Sequence, residues 1–137
     1  MADFQYRFSL KSTFEEAEKV PDFVDGIQLE ASLNDDEASK FKLLLSEAVD
    51  NAIQHGNEYD PDKNVGVEIT ISKSEIRACV TNEGKGFDPE TAVSSDPLAE
   101  ENLLNTSGRG LFLLEQLSDF MEFKDEGKTL HFAIHRK

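Results

Sequence analysis

Cysteine is nearly missing from this chain of 137 residues, in which Cys79 stands alone. An intrachain disulfide is excluded, and the thiol content suits a reducing cytosol. A thiolate metal site is excluded with it. Long apolar runs are missing too. The longest cover only a few residues, against about 20 for a helix that crosses a bilayer. The start, Met1-Ala2-Asp3-Phe4-Gln5-Tyr6-Arg7, has neither the basic head nor the apolar stretch of an export signal. A cytoplasmic location is therefore expected. Positive charge is scarce, with 14 Lys and Arg against 28 Asp and Glu and a formal net charge of -14. That field repels polyanions, so general binding to nucleic acid or an anionic membrane is not expected. Two common phosphate-binding signatures are also absent, the Gly-Lys-Ser/Thr loop and the dinucleotide fingerprint. A phosphate ligand would need other local help: a metal ion, helix N-termini and backbone N–H groups.

What is present reads as one domain over 1–137, with 38% apolar and 31% charged residues and no internal repeat. Phe4, Tyr6, Phe8 and Leu10 alternate with polar residues and predict a half-buried strand. A helix is expected from about Phe14 to Leu29, with Pro21 and Gly26 blurring its limits. Asn34 or Asp35 can cap a second helix running to about His55. Its apolar stripe is Phe41, Leu44, Leu45, Ala48, Val49, Ala52 and Ile53, and Gly56 is a natural stop. Two strands follow, carrying Val65 to Ile71 and Ile76 to Val80, joined by a turn at Ser72–Glu75. The stretch from about Glu90 to Ser107 carries little pattern and reads as a long loop of the lid kind. Gly108-Arg109-Gly110 opens a last helix, and strands at about Asp119–Lys124 and Thr129–Arg136 close the chain. Because every strand alternates, one sheet face is buried and the other wet. The expected fold is a two-layer α/β (α+β) sandwich with a mostly antiparallel sheet, covered on one face by helices.

Three short segments could carry chemistry. Glu47, Asn51 and His55 fall at i, i+4 and i+8 along one helix face, with Asp50 and Gln54 beside them. A carboxylate and an amide one turn apart can share a hard cation and its waters, or the carboxylate can take a proton from a hydroxyl. Taken alone, the same row is an ordinary solvated face. Gly84-Lys85-Gly86 and Gly108-Arg109-Gly110 let the backbone approach a ligand closely, and the second opens a helix whose N–H groups suit phosphate. Each alone is an ordinary turn. His131 and His135 lie four residues apart in a strand, about 13 Å, too far for one ion.

In this order the three segments resemble the GHKL ATPase superfamily of gyrase, heat-shock chaperones, histidine kinases and mismatch-repair proteins. The chain looks most like the small bacterial anti-sigma-factor serine kinases of the RsbW and SpoIIAB kind. Glu47-Ala48-Val49-Asp50-Asn51-Ala52-Ile53-Gln54-His55-Gly56 matches the N box, Asn82-Glu83-Gly84-Lys85-Gly86-Phe87-Asp88 the first glycine box, and Ser107-Gly108-Arg109-Gly110-Leu111 the second. The resemblance implies magnesium-ATP, with Asn51 as the magnesium ligand and Glu47 as the general base for a substrate hydroxyl. It implies that Gly84 and Gly86 line the adenine pocket and that Gly108 and Gly110 hold phosphates. His55, Asn82, Thr106, Ser107, Arg109 and Leu111 complete the nucleotide-contacting set, and residues about 90–107 form the ATP lid. In this branch the kinase binds a sigma factor and phosphorylates a STAS-type anti-anti-sigma protein on Ser or Thr. Those two are the expected partners, with a homodimer as a further option.

The sequence departs from the branch twice. Asn82 stands where Asp is usual, so its side-chain oxygen can accept from the adenine amino group while its amide must face elsewhere. Thr106 stands where an Arg is common, and Arg109 lies between the glycines instead. Three readings stay open at this point: a protein serine/threonine kinase, an ATP-gated switch that binds partners and transfers nothing, and a stand-alone histidine-kinase-like ATPase domain.

Overall fold

The computed structural model describes residues 3–84 and 106–136. Strand β1 (Phe4–Lys11) leads into a one-turn helix α1 (Phe14–Ala17), then α2 (Val20–Ala31) and α3 (Asp35–Asn51). Strands β2 (Asn64–Ile71) and β3 (Glu75–Asn82) form a hairpin, and helix α4 (Thr106–Leu117) precedes β4 (Phe120–Lys124) and β5 (Thr129–His135). All pairings are antiparallel, in the spatial order β1-β2-β3-β5-β4. The helices cover one face, as the alternation requires. Val65, Val67, Ile69 and Ile71 of β2, Ile76, Ala78 and Val80 of β3, and Leu130, Phe132 and Ile134 of β5 are buried against them. Phe41, Leu44, Leu45, Ala48 and Val49 of α3 meet this face, with the Phe41 and Phe132 rings 6.0 Å apart.

The single helix expected over 14–29 is two helices. Thr13 caps the first by accepting from the Glu16 N–H at 3.2 Å, and the chain turns at Glu18 and Lys19 before α2 begins. Pro21 causes the restart rather than a break: it occupies the first turn of α2, where its missing N–H costs nothing. Asn34 caps α3 with a reciprocal capping box. Its side chain accepts from Glu37 N–H at 2.7 Å, and the Glu37 carboxylate accepts from Asn34 N–H at 3.0 Å. Glu37 also receives Arg136 Nε at 3.0 Å, while Arg136 Nη1 donates to the Ser72 carbonyl at 2.9 Å. One side chain thus ties the end of β5 to the start of α3 and to the β2–β3 turn.

The wet face carries Arg7, Glu68, Cys79 and His131 side by side across four strands. His131 is half-buried there, with Nε2 3.8 Å from Cys79 Sγ, and His135 is exposed. Among the described residues no helix is long and apolar enough to cross a membrane.

Candidate functional site

The end of α3 brings the N-box side chains together. Ala48, Val49, Ala52 and Ile53 are buried in the core, which turns Glu47, Asn51 and His55 toward the other side of the same helix. The helix does not run regularly to His55. From Ala52 to Gly56 it widens into a π-helical turn, with Asn57 N–H donating to the Ala52 carbonyl five residues back at 2.9 Å. Widened turns of this kind recur at functional sites because they re-aim side chains without ending the helix.

Asn51 is buried, and its Oδ1 has no hydrogen-bond partner among the described residues. An orphaned buried carbonyl oxygen is costly, about 1–3 kcal/mol, and calls for a ligand that supplies the missing positive partner. A hard divalent cation is such a ligand. One turn earlier, the half-buried Glu47 carboxyl is pushed above the usual carboxylate range, first by loss of hydration and then by the neighbouring Asp50 charge. Asp50 is raised by desolvation too: its residue surface is open, yet the surrounding protein still strips part of the carboxyl's hydration. Desolvation lowers His55, which favours the neutral ring. No fixed cation among the described residues pairs with Glu47 or Asp50.

The first glycine box sits directly against the N box. A Cβ on Gly56 would fall 2.2 Å from Asn82 Cγ, and one on Gly84 would fall 1.7 Å from the Gly56 carbonyl oxygen. Glycine is required at both positions by close approach. Asn82 is buried and committed on both sides: its Nδ2 donates to the Lys128 carbonyl at 3.2 Å, and its Oδ1 accepts from Gly84 N–H at 3.1 Å. The amide therefore faces away, toward the turn before β5. The oxygen keeps one of its two acceptor directions for another donor.

Asn57 directly follows the helix stop at Gly56 and has no role of its own in the N-box pattern. It is buried, and all four of its amide valences are filled. Nδ2 donates to Ser12 Oγ at 2.8 Å and to the Asn64 carbonyl at 3.0 Å. Oδ1 accepts from Glu83 N–H at 2.9 Å and Gly84 N–H at 2.7 Å. It thereby joins the end of β1, the start of β2, the N box and the first glycine box. The only local signal was an Asn just past a helix-stopping Gly, which reads equally well as a cap.

The second glycine box lies in the first turns of α4. Thr106 and Ser107, expected at the end of the lid, are already helical. Ser107 and Gly108 therefore fall in the first turn of α4, where backbone N–H groups have no acceptor within the helix, and Arg109, Gly110 and Leu111 follow. Gly86 and the expected lid over 90–105 lie outside the described residues.

The architecture is that of a two-layer ATPase sandwich, with a helix-borne polar row and a glycine turn packed together at one end of the sheet. The pattern of the histidine kinase-like ATPase domain matches residues 10–134, and the chain belongs to that family. It is 31% identical over 122 residues to the serine-protein kinase RsbW of Staphylococcus aureus strain MSSA476, covering 83% of this chain and 76% of the relative. The RsbW of strain JH9 matches with the same figures. A solved structure of RsbU and RsbW domains from Mycobacterium tuberculosis superposes with a TM-score of 0.63 over 98% of this chain, at 15% identity. This chain spans 32% of that longer one, and the likeness bears on the fold.

Proposed function

We propose that this protein is an ATP-dependent serine/threonine kinase that acts in an anti-sigma partner switch. The observation that carries the reading is the buried Asn51 Oδ1, without a partner among the described residues, one helical turn from a carboxylate held in its more basic range. Asn51 would hold magnesium, which when bound offsets the negative charge on the ATP phosphates. Gly84, with Asn82 and Gly86, would line the adenine pocket. Thr106, Ser107, Gly108, Arg109, Gly110 and Leu111 would serve the phosphates, with His55 facing them as a neutral donor.

In the reaction, a Ser or Thr hydroxyl oxygen of the partner attacks the γ-phosphorus. The new O–P bond forms as the bond to the β,γ-bridging oxygen breaks, ADP leaves, and the hydroxyl proton passes to Glu47. A carboxylate poorer in hydration is a better base than a free one, and its raised pKa supports that role. The partner would be a STAS-type protein, with a sigma factor as the second client. Two of the relatives carry the name serine-protein kinase, which fits this chemistry.

The test is mass spectrometry of STAS proteins from the source genome after incubation with this protein and magnesium-ATP. One Ser or Thr phosphate per STAS chain is expected, lost in Glu47→Ala while that variant keeps its fold. Full labelling by Glu47→Ala would reject the base assignment. A second reading, an ATP-gated binder without transfer, is favoured by Thr106 in place of an arginine. It predicts nucleotide-dependent capture of a STAS protein that never acquires phosphate.

A further inference from the structure

The ring of Phe14 in α1 is 70% exposed, and Tyr59, 40% exposed, lies against it at 5.1 Å with the planes 38° apart. Tyr59 is held there by two successive left-handed residues that are not glycine, Glu58 at φ 52° and Tyr59 at φ 59°. Its N–H donates to the Ile53 carbonyl at 2.9 Å. Beside the rings is a cavity of about 120 Å³ whose remaining walls include Ala17, Asp50, Ile53 and Gln54. That is room for the end of one long side chain.

The Asp50 carboxylate makes no hydrogen bond or ion pair among the described residues, although it lines this cavity one turn from Glu47. Two aromatic faces and an uncompensated carboxylate form a cation site: ring faces attract a cation, and the carboxylate gives it a charged hydrogen bond. An apolar side chain would leave Asp50 facing it unpaired, and an anion would meet Asp50, Glu47 and a chain of net charge -14. Glu15 and Glu58, next in sequence to Phe14 and Tyr59, add to the same sign.

We propose that this cavity receives one lysine or arginine side chain of the protein substrate and so docks that protein beside Glu47. The identity of the cation's carrier rests on the kinase reading above; the preference of the cavity for a cation does not. Gln54 and Asp50 lie on the same helix face as Glu47, so a side chain seated here places its neighbours in reach of that carboxylate.

The test titrates the full chain with N-acetyl-arginine amide, its neutral isostere N-acetyl-citrulline amide, and N-acetyl-leucine amide, following the NMR signals of Phe14, Ala17, Ile53 and Tyr59. Saturable shifts are expected with arginine, at least about tenfold weaker with citrulline and in Asp50→Asn. Phe14→Ala, at an exposed ring, is expected to weaken arginine binding in the same direction without unfolding. Citrulline or leucine binding as well as arginine, an Asp50→Asn or Phe14→Ala chain that binds arginine unchanged, or no shift at these residues overturns the proposal. Phosphate transfer is measured separately. Arginine binding in a chain that transfers nothing keeps the cavity and rejects the kinase, whereas transfer without arginine binding does the reverse.

Discussion

Gly84 is packed against the carbonyl of Gly56 so closely that an added Cβ would lie 1.7 Å from that oxygen. The clash is with backbone, so no rotamer change relieves it. Gly84→Ala is expected to destabilise the protein by at least about 2 kcal/mol. It should also lower ATP affinity, because the first glycine box must move off the N box. Thermal unfolding and nucleotide titration measure the two effects. An alanine variant with wild-type stability would show that the two boxes do not need this contact.

Asn51 should behave oppositely in the absence and presence of magnesium-ATP. Its Oδ1 is buried with no partner among the described residues, so Asn51→Ala removes an unsatisfied acceptor and should leave apo stability within about 1 kcal/mol of wild type. The stabilisation that magnesium-ATP adds to the wild type should be absent from the variant. Melting curves with and without magnesium-ATP check both halves. A large apo destabilisation would mean that Asn51 is a structural residue.

Glu47 carries a raised pKa in the folded protein, so ionising it works against the fold. The stability it contributes is full below the unfolded value of 4.5 and is lost as pH rises through the folded value. Glu47→Gln should therefore be more stable than wild type near neutral pH, with the gain fading as pH falls through the folded value and gone below 4.5. Denaturant titrations across that range follow it. A gain that persists unchanged at low pH would point to packing instead of charge.

Glu37 follows the reverse sign. Burial alone would raise its pKa, but the Arg136 guanidinium and the Asn34 N–H outweigh burial and hold it below the usual value. Its contribution is present above the unfolded value of 4.5 and is lost as pH falls through the lowered one. Arg136→Met should cost about 1–2 kcal/mol at neutral pH. The difference from wild type should shrink in acid, as the same unfolding measurements would report. A cost that does not vary with pH would assign the effect to the Ser72 hydrogen bond.

Asn82 gives a prediction that runs against the usual residue of the branch. Its Nδ2 donates to the Lys128 carbonyl at 3.2 Å, so an aspartate there would set an oxygen against an oxygen. Asn82→Asp is expected to cost about 1–3 kcal/mol. Unfolding free energies of the two proteins decide it, and an equal or more stable aspartate variant would show that the amide is free to turn.

Much of this was legible in the chain itself. Alternation in Phe4–Leu10, Val65–Ile71 and Ile76–Val80 marked strands and their buried face, because a strand's side chains take opposite sides by geometry alone. Asn34 and Glu37 marked the start of α3, because a capping box closes within three residues. The spacing of Glu47 and Asn51 put them on one face for the same reason. What the chain did not show depends on residues far apart in it. Asn57 reaches Ser12 and Gly84, which lie 45 and 27 positions away. Asn82 turns its amide toward Lys128, 46 positions on. The widened turn at Ala52–Gly56 likewise follows no local pattern, whereas the restart after Glu18–Lys19 is marked by Pro21 in the first turn of α2. Sequence periodicity determined the elements and the faces that carry the site. The tertiary structure alone decided which buried amides are filled and which, as at Asn51 among the described residues, are left open, since hydrogen-bond satisfaction depends on what folding brings within 3 Å or so.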